Sequence, residues 1–182
     1  MFHVEHKKPN MNLKGYIREI PDFPQKGINF KDITTLLKDA EAFGSVVDCI
    51  TGYFEDKKIT KVVSLESRGF IVGGALAYRL KAGFVPIRKG GKLPAKTLAA
   101  AYDLEYGADM IEIHEDALMA DDVVLIHDDL LATGGTAMAA LNLVQKLGVK
   151  KVYLSFICDL SFIDTPLKRE LTAYETHTLI RY

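Results

Sequence analysis

Asp128 and Asp129 stand side by side just before a turn of small residues, Ala132-Thr133-Gly134-Gly135-Thr136. Those residue types in that order suit one kind of ligand. Consecutive backbone N–H groups in such a turn converge into a nest, Gly134 and Gly135 tolerate positive φ, and the hydroxyls of Thr133 and Thr136 add donors. The helical pattern that follows brings the partial positive charge of a helix N-terminus, and the resulting cup fits a phosphate monoester. The carboxylates upstream are acceptors for hydroxyls carried by the same molecule. A phosphate cup beside an acidic pair describes a phosphorylated sugar. Two other nucleotide-binding patterns are excluded. No Lys follows Gly135 at Walker A spacing, and no Gly-x-Gly-x-x-Gly joins strand to helix here.

A second group of candidates is cationic. Arg88, Lys89, Lys92 and Lys96 fall close together among Gly90, Gly91 and Pro94. Composition alone reads this as a solvated surface run, whereas a glycine- and proline-containing segment also suits capture of a polyanion. The whole chain carries a net charge of only −1, which gives no electrostatic footprint for nucleic acid. Cys49 and Cys158 form neither a Cys-x-x-Cys pair nor a disulfide framework, and read as buried free thiols in a reducing cytosol. His3, His6, His114, His127 and His177 show no zinc-ligand spacing. No apolar run approaches the roughly 18 residues of a membrane span, and polar residues 1–10 lack the apolar core of a signal peptide. They are expected to form a disordered tail.

The elements that must position these groups alternate along the chain. Apolar residues recur at helical spacing over 41–54, 69–80 and 136–147, the last followed by Gly148 as a stop. Short β-branched runs at 61–66, 84–87, 110–114, 123–126 and 151–157 read as strands, with 110–114 expected antiparallel to its neighbour. Residues 89–109, with glycine, proline and mixed polarity, read as a long loop whose length favours an active-site lid. At 182 residues and 48% hydrophobic content the chain suits one α/β domain with a helix-covered, mostly parallel sheet. Ligands of such sheets collect at the carboxyl ends of strands. Three candidate loops leave such ends, at 66–70, 88–109 and 128–136.

The segment from Val123 to Thr136 resembles the phosphoribosyl-pyrophosphate (PRPP) motif of the type I phosphoribosyltransferases. Four further blocks extend the similarity from about Leu13 onward: Pro21-Asp22-Phe23-Pro24 through Asn29-Phe30-Lys31-Asp32, Glu66-Ser67-Arg68-Gly69-Phe70, Ile87-Arg88-Lys89-Gly90-Gly91-Lys92-Leu93-Pro94, and Tyr102-Asp103-Leu104-Glu105-Tyr106-Gly107. The last two resemble the adenine-specific members in particular. The resemblance implies a type I phosphoribosyltransferase fold: a twisted, mostly parallel central sheet flanked by helices, in one domain over 11–182. It also implies a small N-terminal hood from about residues 11–40 and a long flexible catalytic loop. His127 departs from the family, which more often has an aliphatic residue there, and reads best as a core histidine.

What the resemblance implies for the site follows residue by residue. Ala132, Thr133, Gly134, Gly135 and Thr136 would hold the 5′-phosphate, and Asp128 and Asp129 the ribose. Ser67, Arg68, Arg88, Lys89 and Lys92 would contact pyrophosphate. Asn29, Phe30 and Lys31 would lie at the adenine, Phe30 stacking on it, with the role of Lys31 open because that position often holds Arg. Glu105 would be the catalytic carboxylate with Tyr106 beside it, and the Glu66–Ser67 peptide would be cis. The implied reaction is adenine plus PRPP giving AMP and pyrophosphate, with Mg²⁺ held largely through PRPP rather than by a dedicated protein site. The implied setting is a cytoplasmic homodimer with no nucleic-acid or membrane partner. Two alternatives stay open: a PRPP- or base-sensing regulator on the same fold, and a phosphoribosyltransferase for xanthine, guanine or orotate.

Overall fold

Apolar β-branched runs become the central strands, and the residues between them set where helices begin. The computed structural model describes residues 11–104 and 107–182, so the expected tail over 1–10 lies outside the described residues. After a 3-10 turn at Leu13–Tyr16, β1 (Arg18–Ile20) pairs antiparallel with β2 (Phe30–Asp32) in a small separate sheet. Helices α1 (Thr34–Leu37) and α2 (Ala40–Phe54) follow, and the Asp39 carboxylate caps α2 by accepting the Ala42 N–H at 2.9 Å. Next come β3 (Lys61–Leu65), α3 (Gly69–Leu80), β4 (Gly83–Lys89), β5 (Thr97–Leu104) and β6 (Gly107–His114). The chain continues through β7 (Val123–Leu131), α4 (Gly135–Lys146), β8 (Lys151–Asp159), α5 (Pro166–Leu171) and β9 (Thr176–Arg181).

The main sheet has the order β5-β6-β4-β3-β7-β8-β9. Strands β4, β3, β7, β8 and β9 run parallel, while β6 is antiparallel to both β4 and β5. Alternation along each strand feeds two cores. Val63, Leu65, Ile126, Leu154 and Phe156 meet Ala140, Leu143 and Val144 of α4. Val62, Leu125 and Tyr153 meet Val46 and Ile50 of α2 and Val72 and Leu76 of α3. Helices on both faces and apolar runs in the middle strands are two sides of one requirement, since a parallel sheet must be covered twice.

One row on the α2–α3 face is polar. Ser64, His127 and Ser155 stand in register across β3, β7 and β8, each fully buried. The His127 Nδ1 lies 3.3 Å from the Ser155 hydroxyl. Burial lowers the imidazole pKa to about 3, so His127 is a neutral core residue.

Two expectations need correction. The loop expected over 89–109 is largely strand: β4 continues to Lys89, and β5 pairs with β6 from Thr97↔His114 to Leu104↔Gly107. Leu98, Ala100 and Tyr102 alternate inward onto the core that α4 shares, a period-two signal hidden in an alanine-rich run. The long catalytic loop is thus reduced to a turn over 90–96 and the segment around residues 105–106, which lie outside the described residues. Strand β7 also runs past the acidic pair to Leu131. Neighbouring β8 extends to Asp159 and pairs Asp128 with Phe156 and Leu130 with Cys158, so ladder bonds carry the strand through its polar residues.

Candidate active site

Strands β4, β3 and β7 are adjacent and parallel, so their carboxyl ends open at one edge of the sheet. Helix α3 leaves β3 on one face and α4 leaves β7 on the other, which opens a crevice between the two strands. The segments after β3 and β7 carry the motifs expected to act.

The turn after β7 is shaped by one glycine. Gly134 has φ of 89°, a left-handed conformation costly for a side-chain-bearing residue, and Gly135 is already the first residue of α4. Of the two glycines first considered for positive φ, only Gly134 uses it. The N-cap residue Gly134 has no side chain to cap α4, and the Gly135 N–H makes only a long 3.5 Å contact with the Thr133 hydroxyl, which leaves the helix N-terminus able to receive an anion. The turn is braced from behind: the Thr165 hydroxyl donates to the Thr133 carbonyl at 2.6 Å. Sequence reading did not single out Thr165, because the contact joins distant segments.

The acidic pair is built into the crevice wall. Asp129 is 4% exposed and its carboxylate pairs with Arg68 at 2.8 Å. Asp128 accepts the Asp129 N–H at 2.9 Å. Burial, then the neighbouring Asp129 charge, raises Asp128 well above the usual carboxylate range. Burial also raises Asp129, against the opposing pull of Arg68. Two carboxylates this close resist carrying two charges together. Gly69 makes the approach of α3 to β7 possible, since a Cβ there would sit 2.9 Å from Asp128 Oδ1 and 3.2 Å from the His127 carbonyl oxygen.

Four expected pyrophosphate contacts gather around the β3 and β4 ends. The Glu66–Ser67 peptide is cis, and Ser67 is exposed in the turn before α3. Glu66, absent from the expected site, is the hub. Its carboxylate lies 3.4 Å from Arg88 Nε and 2.5 Å from Lys92 Nζ, and accepts the Lys89 N–H at 3.0 Å. Burial alone would raise its pKa; Lys92, the Lys89 amide and Arg88 together outweigh burial and hold it at about 2. The Lys89 ammonium turns instead to Asp109 at 2.9 Å, and the Tyr102 hydroxyl donates to Asp109 at 3.3 Å. The signal for Glu66 was present in the sequence, since it opens the Glu66-Ser67-Arg68 block. Asp109 had none, because its partner is on another strand.

The base segment reaches the same place from the small sheet. The Arg68 guanidinium sits 5.2 Å from the centroid of the Phe30 ring, which packs edge-on against Phe23. Asn29 is exposed and donates to Glu19 at 2.8 Å. Lys31 is 6% exposed, its ammonium paired with Glu19 at 2.8 Å. Glu105 and Tyr106 lie outside the described residues. Among the described residues, no group of three or more His, Cys, Asp or Glu side chains could hold a metal ion.

Comparison with known proteins adds a second line of argument. Residues 34–169 match the Phosphoribosyl transferase domain family. An adenine phosphoribosyltransferase of Thermotoga sp. (strain RQ2) is 54% identical over 172 residues, covering 94% of this chain and all of that one. The crystal structure of adenine phosphoribosyltransferase from Thermoanaerobacter pseudethanolicus has a TM-score of 0.88 and 49% identity, covering 93% of this chain and 98% of that one. The Saccharomyces cerevisiae enzyme, complexed with D-2,5-dideoxy-2,5-imino-altritol 1,6-bisphosphate and adenine, has a TM-score of 0.86 and 38% identity, covering 92% and 96%. With crevice, turn, acidic pair and matched sequence in agreement, the chain belongs to the type I phosphoribosyltransferases and, within them, to the adenine phosphoribosyltransferase family.

Proposed function

We infer that this chain is an enzyme of purine salvage that transfers the 5-phosphoribosyl group of PRPP to adenine, giving AMP and pyrophosphate. The observation that carries the reading is the Arg68 guanidinium, which pairs with Asp129 of the acidic pair and lies over the Phe30 ring. One cation thus stands where a ribose, its pyrophosphate and a planar base would meet.

In this reading residues 132–136 receive the 5′-phosphate and Asp128 and Asp129 the ribose hydroxyls. Ser67, Arg68, Arg88, Lys89 and Lys92 receive pyrophosphate, exchanging protein carboxylates for phosphate oxygens. Asn29, Phe30 and Lys31 receive adenine; because the Lys31 ammonium is committed to Glu19, Lys31 contributes through its backbone. The adenine N9 attacks C1′ while the C1′–O bond to pyrophosphate breaks, and that bond's electron pair leaves with pyrophosphate. The centre between them is oxocarbenium-like. The proton on N9 passes to a base, the role we assign to Glu105, with Tyr106 beside it.

Mg²⁺ fits this site as a guest of the substrate. It takes oxygen donors, which PRPP would largely supply, and the carboxylate oxygens of Asp128 and Asp129 would be the protein groups able to add to them. Bound there, it would supply charge neutralisation for the leaving pyrophosphate. The chain's own cations do the rest electrostatically.

We further propose a single domain over 11–182 with a hood at about 11–40, a cytoplasmic setting, and pairing with a second copy. Exposed Ile71 and Tyr78, two turns apart on α3, offer apolar side chains for that pairing. No helix among the described residues is long and apolar enough to cross a membrane.

The deciding experiment incubates the protein with PRPP, Mg²⁺ and each base in turn and measures nucleotide and pyrophosphate formation. AMP from adenine is expected. No turnover with any base would overturn the enzymatic reading, and preference for an oxopurine would overturn the base assignment. Light scattering tests the dimer.

A further inference from the structure

Tyr182 belongs to none of the motifs, yet it is fastened to two parts of the molecule. Its backbone is tied to the end of β8: Tyr182 N–H donates to the Asp159 carbonyl at 3.0 Å, and Ser161 N–H donates to the Tyr182 carbonyl at 3.0 Å. Its side chain points away from that anchor toward the N-terminal segment. The ammonium groups of Lys14 and Lys31 sit 4.2 and 4.3 Å from its ring centroid. Lys14 also donates to the Arg181 carbonyl at 3.4 Å. Ring faces attract cations through the aromatic quadrupole, more strongly when one cation is shielded from water. Lys31 is so shielded, at 6% exposed.

The chain of contacts continues into the base segment. Lys31 pairs with Glu19, and the same carboxylate accepts from Asn29 Nδ2. Glu19 faces Lys31 across the β1–β2 ladder, and Phe30 lies between Asn29 and Lys31. The small sheet is not hydrogen-bonded into the main sheet. Its height above the crevice therefore depends on side-chain ties, and the Tyr182 ring with its two lysines is one that joins it to the carboxyl edge.

We propose that Tyr182 is a positioning residue for base recognition: seating Lys14 and Lys31 on its ring holds the Asn29-Phe30-Lys31 segment where the purine is read. The proposal rests on the adenine site assigned above. Loss of the ring leaves the segment in a broader set of positions, and the base must then order it on binding. Groups that hold PRPP are on the main sheet and its loops, so their affinity is unaffected.

The test is steady-state kinetics on the full chain with Tyr182→Leu, Tyr182→Phe and Lys14→Met, each checked for a cooperative melt. Tyr182→Leu is expected to raise KM for adenine about tenfold, equivalent to about 1.4 kcal/mol, with KM for PRPP and kcat within about twofold of wild type. Tyr182→Phe keeps the ring and should restore wild-type values. Lys14→Met, an exposed change that does not threaten folding, should raise KM for adenine about threefold. It decides the matter alone if Tyr182→Leu does not fold. Unchanged KM for adenine in the folded variants, or an equal rise in KM for PRPP, would overturn the proposal. Absence of AMP formation by the wild-type protein would instead remove the reading on which it rests.

Discussion

Replacing Gly69 with Ala should damage PRPP recognition through a single methyl group. The added Cβ would lie 2.9 Å from Asp128 Oδ1, 3.2 Å from the His127 carbonyl oxygen and 3.3 Å from Asp128 Cα. To restore an ordinary contact of about 3.5 Å, the carboxylate must retreat by about 0.6 Å. The two backbone atoms must give by a few tenths of an ångström, and they belong to a ladder strand that resists. Overpacking of this kind costs about 1–3 kcal/mol, which lowers Tm by about 2–4 °C per kcal/mol in a chain this long. A 1 Å misplacement of a positioning group costs about 10²-fold, so the smaller shift projects to roughly a tenfold rise in KM for PRPP. KM for adenine should stay within about twofold. Gly44→Ala on α2 is the control: nothing lies within 4 Å of its Cβ, so it should gain about 0.4–1 kcal/mol by helix propensity and leave kinetics alone. A Gly69→Ala enzyme with lowered Tm and wild-type KM for PRPP would refute the placement of Asp128 in the ribose site.

Glu105→Gln should lower kcat by about 10²–10⁴-fold with an unchanged melting curve, and wild-type initial rates would remove the catalytic assignment. Gly134→Ala forces a non-glycine residue to φ of 89° and brings its Cβ to 3.2 Å from Lys168 N; left-handed backbone alone costs about 1–2 kcal/mol. Isothermal titration should show AMP affinity falling at least tenfold, and unchanged affinity would move the phosphate elsewhere. The His127 pKa falls from 6.5 to about 3 on folding, so below pH 6.5 the unfolded chain takes up a proton that the folded chain refuses. Stability therefore drops as pH falls from 6.5, by about 2 kcal/mol at pH 5. Urea unfolding of wild type against His127→Val at pH 7 and pH 5 should show that difference only in wild type. Glu66 works at lower pH: its folded pKa of about 2 lies below the usual 4.5, so its contribution is complete above 4.5 and lost toward 2, and Glu66→Gln should flatten acid unfolding in that window.

The parts of the site written in contiguous residues were legible in the sequence. The turn at 132–136 and the adjacent Asp128 and Asp129 sit within one short block whose chemistry depends on neighbours in the chain, whereas the cis Glu66–Ser67 peptide was implied by the family resemblance alone. Helices α2, α3 and α4 were equally plain, because their apolar residues recur over three or more turns. The β5–β6 pairing was not, since Ala99, Ala100 and Ala101 carry almost no hydrophobic contrast and the pairing partner supplies the signal. Strand β9 was missed for a related reason. Thr176, His177 and Thr178 are polar in isolation, and the strand exists because β8 offers it a parallel ladder. The lysines were candidates from the sequence, but their pairings across the fold, Glu66 to Lys92 and Lys89 to Asp109, needed the assembled sheet before they could be recognised.

The buried row of Ser64, His127 and Ser155 has a consequence for how the sheet finds its alignment. An apolar parallel strand slides past its neighbours with little penalty, because Val, Leu and Ile fill one another's places. A slip of one residue in β7 would turn His127 into the face occupied by Val63, Ile126 and Leu154, away from the Ser155 hydroxyl, and would exchange the faces of Asp128 and Asp129. A stranded imidazole in an apolar layer costs more than a displaced methyl group. The histidine acts as an index mark on the strand: misaligned chains are penalised at the residue immediately before the carboxylates, so the acidic pair enters the crevice only in the correct phase.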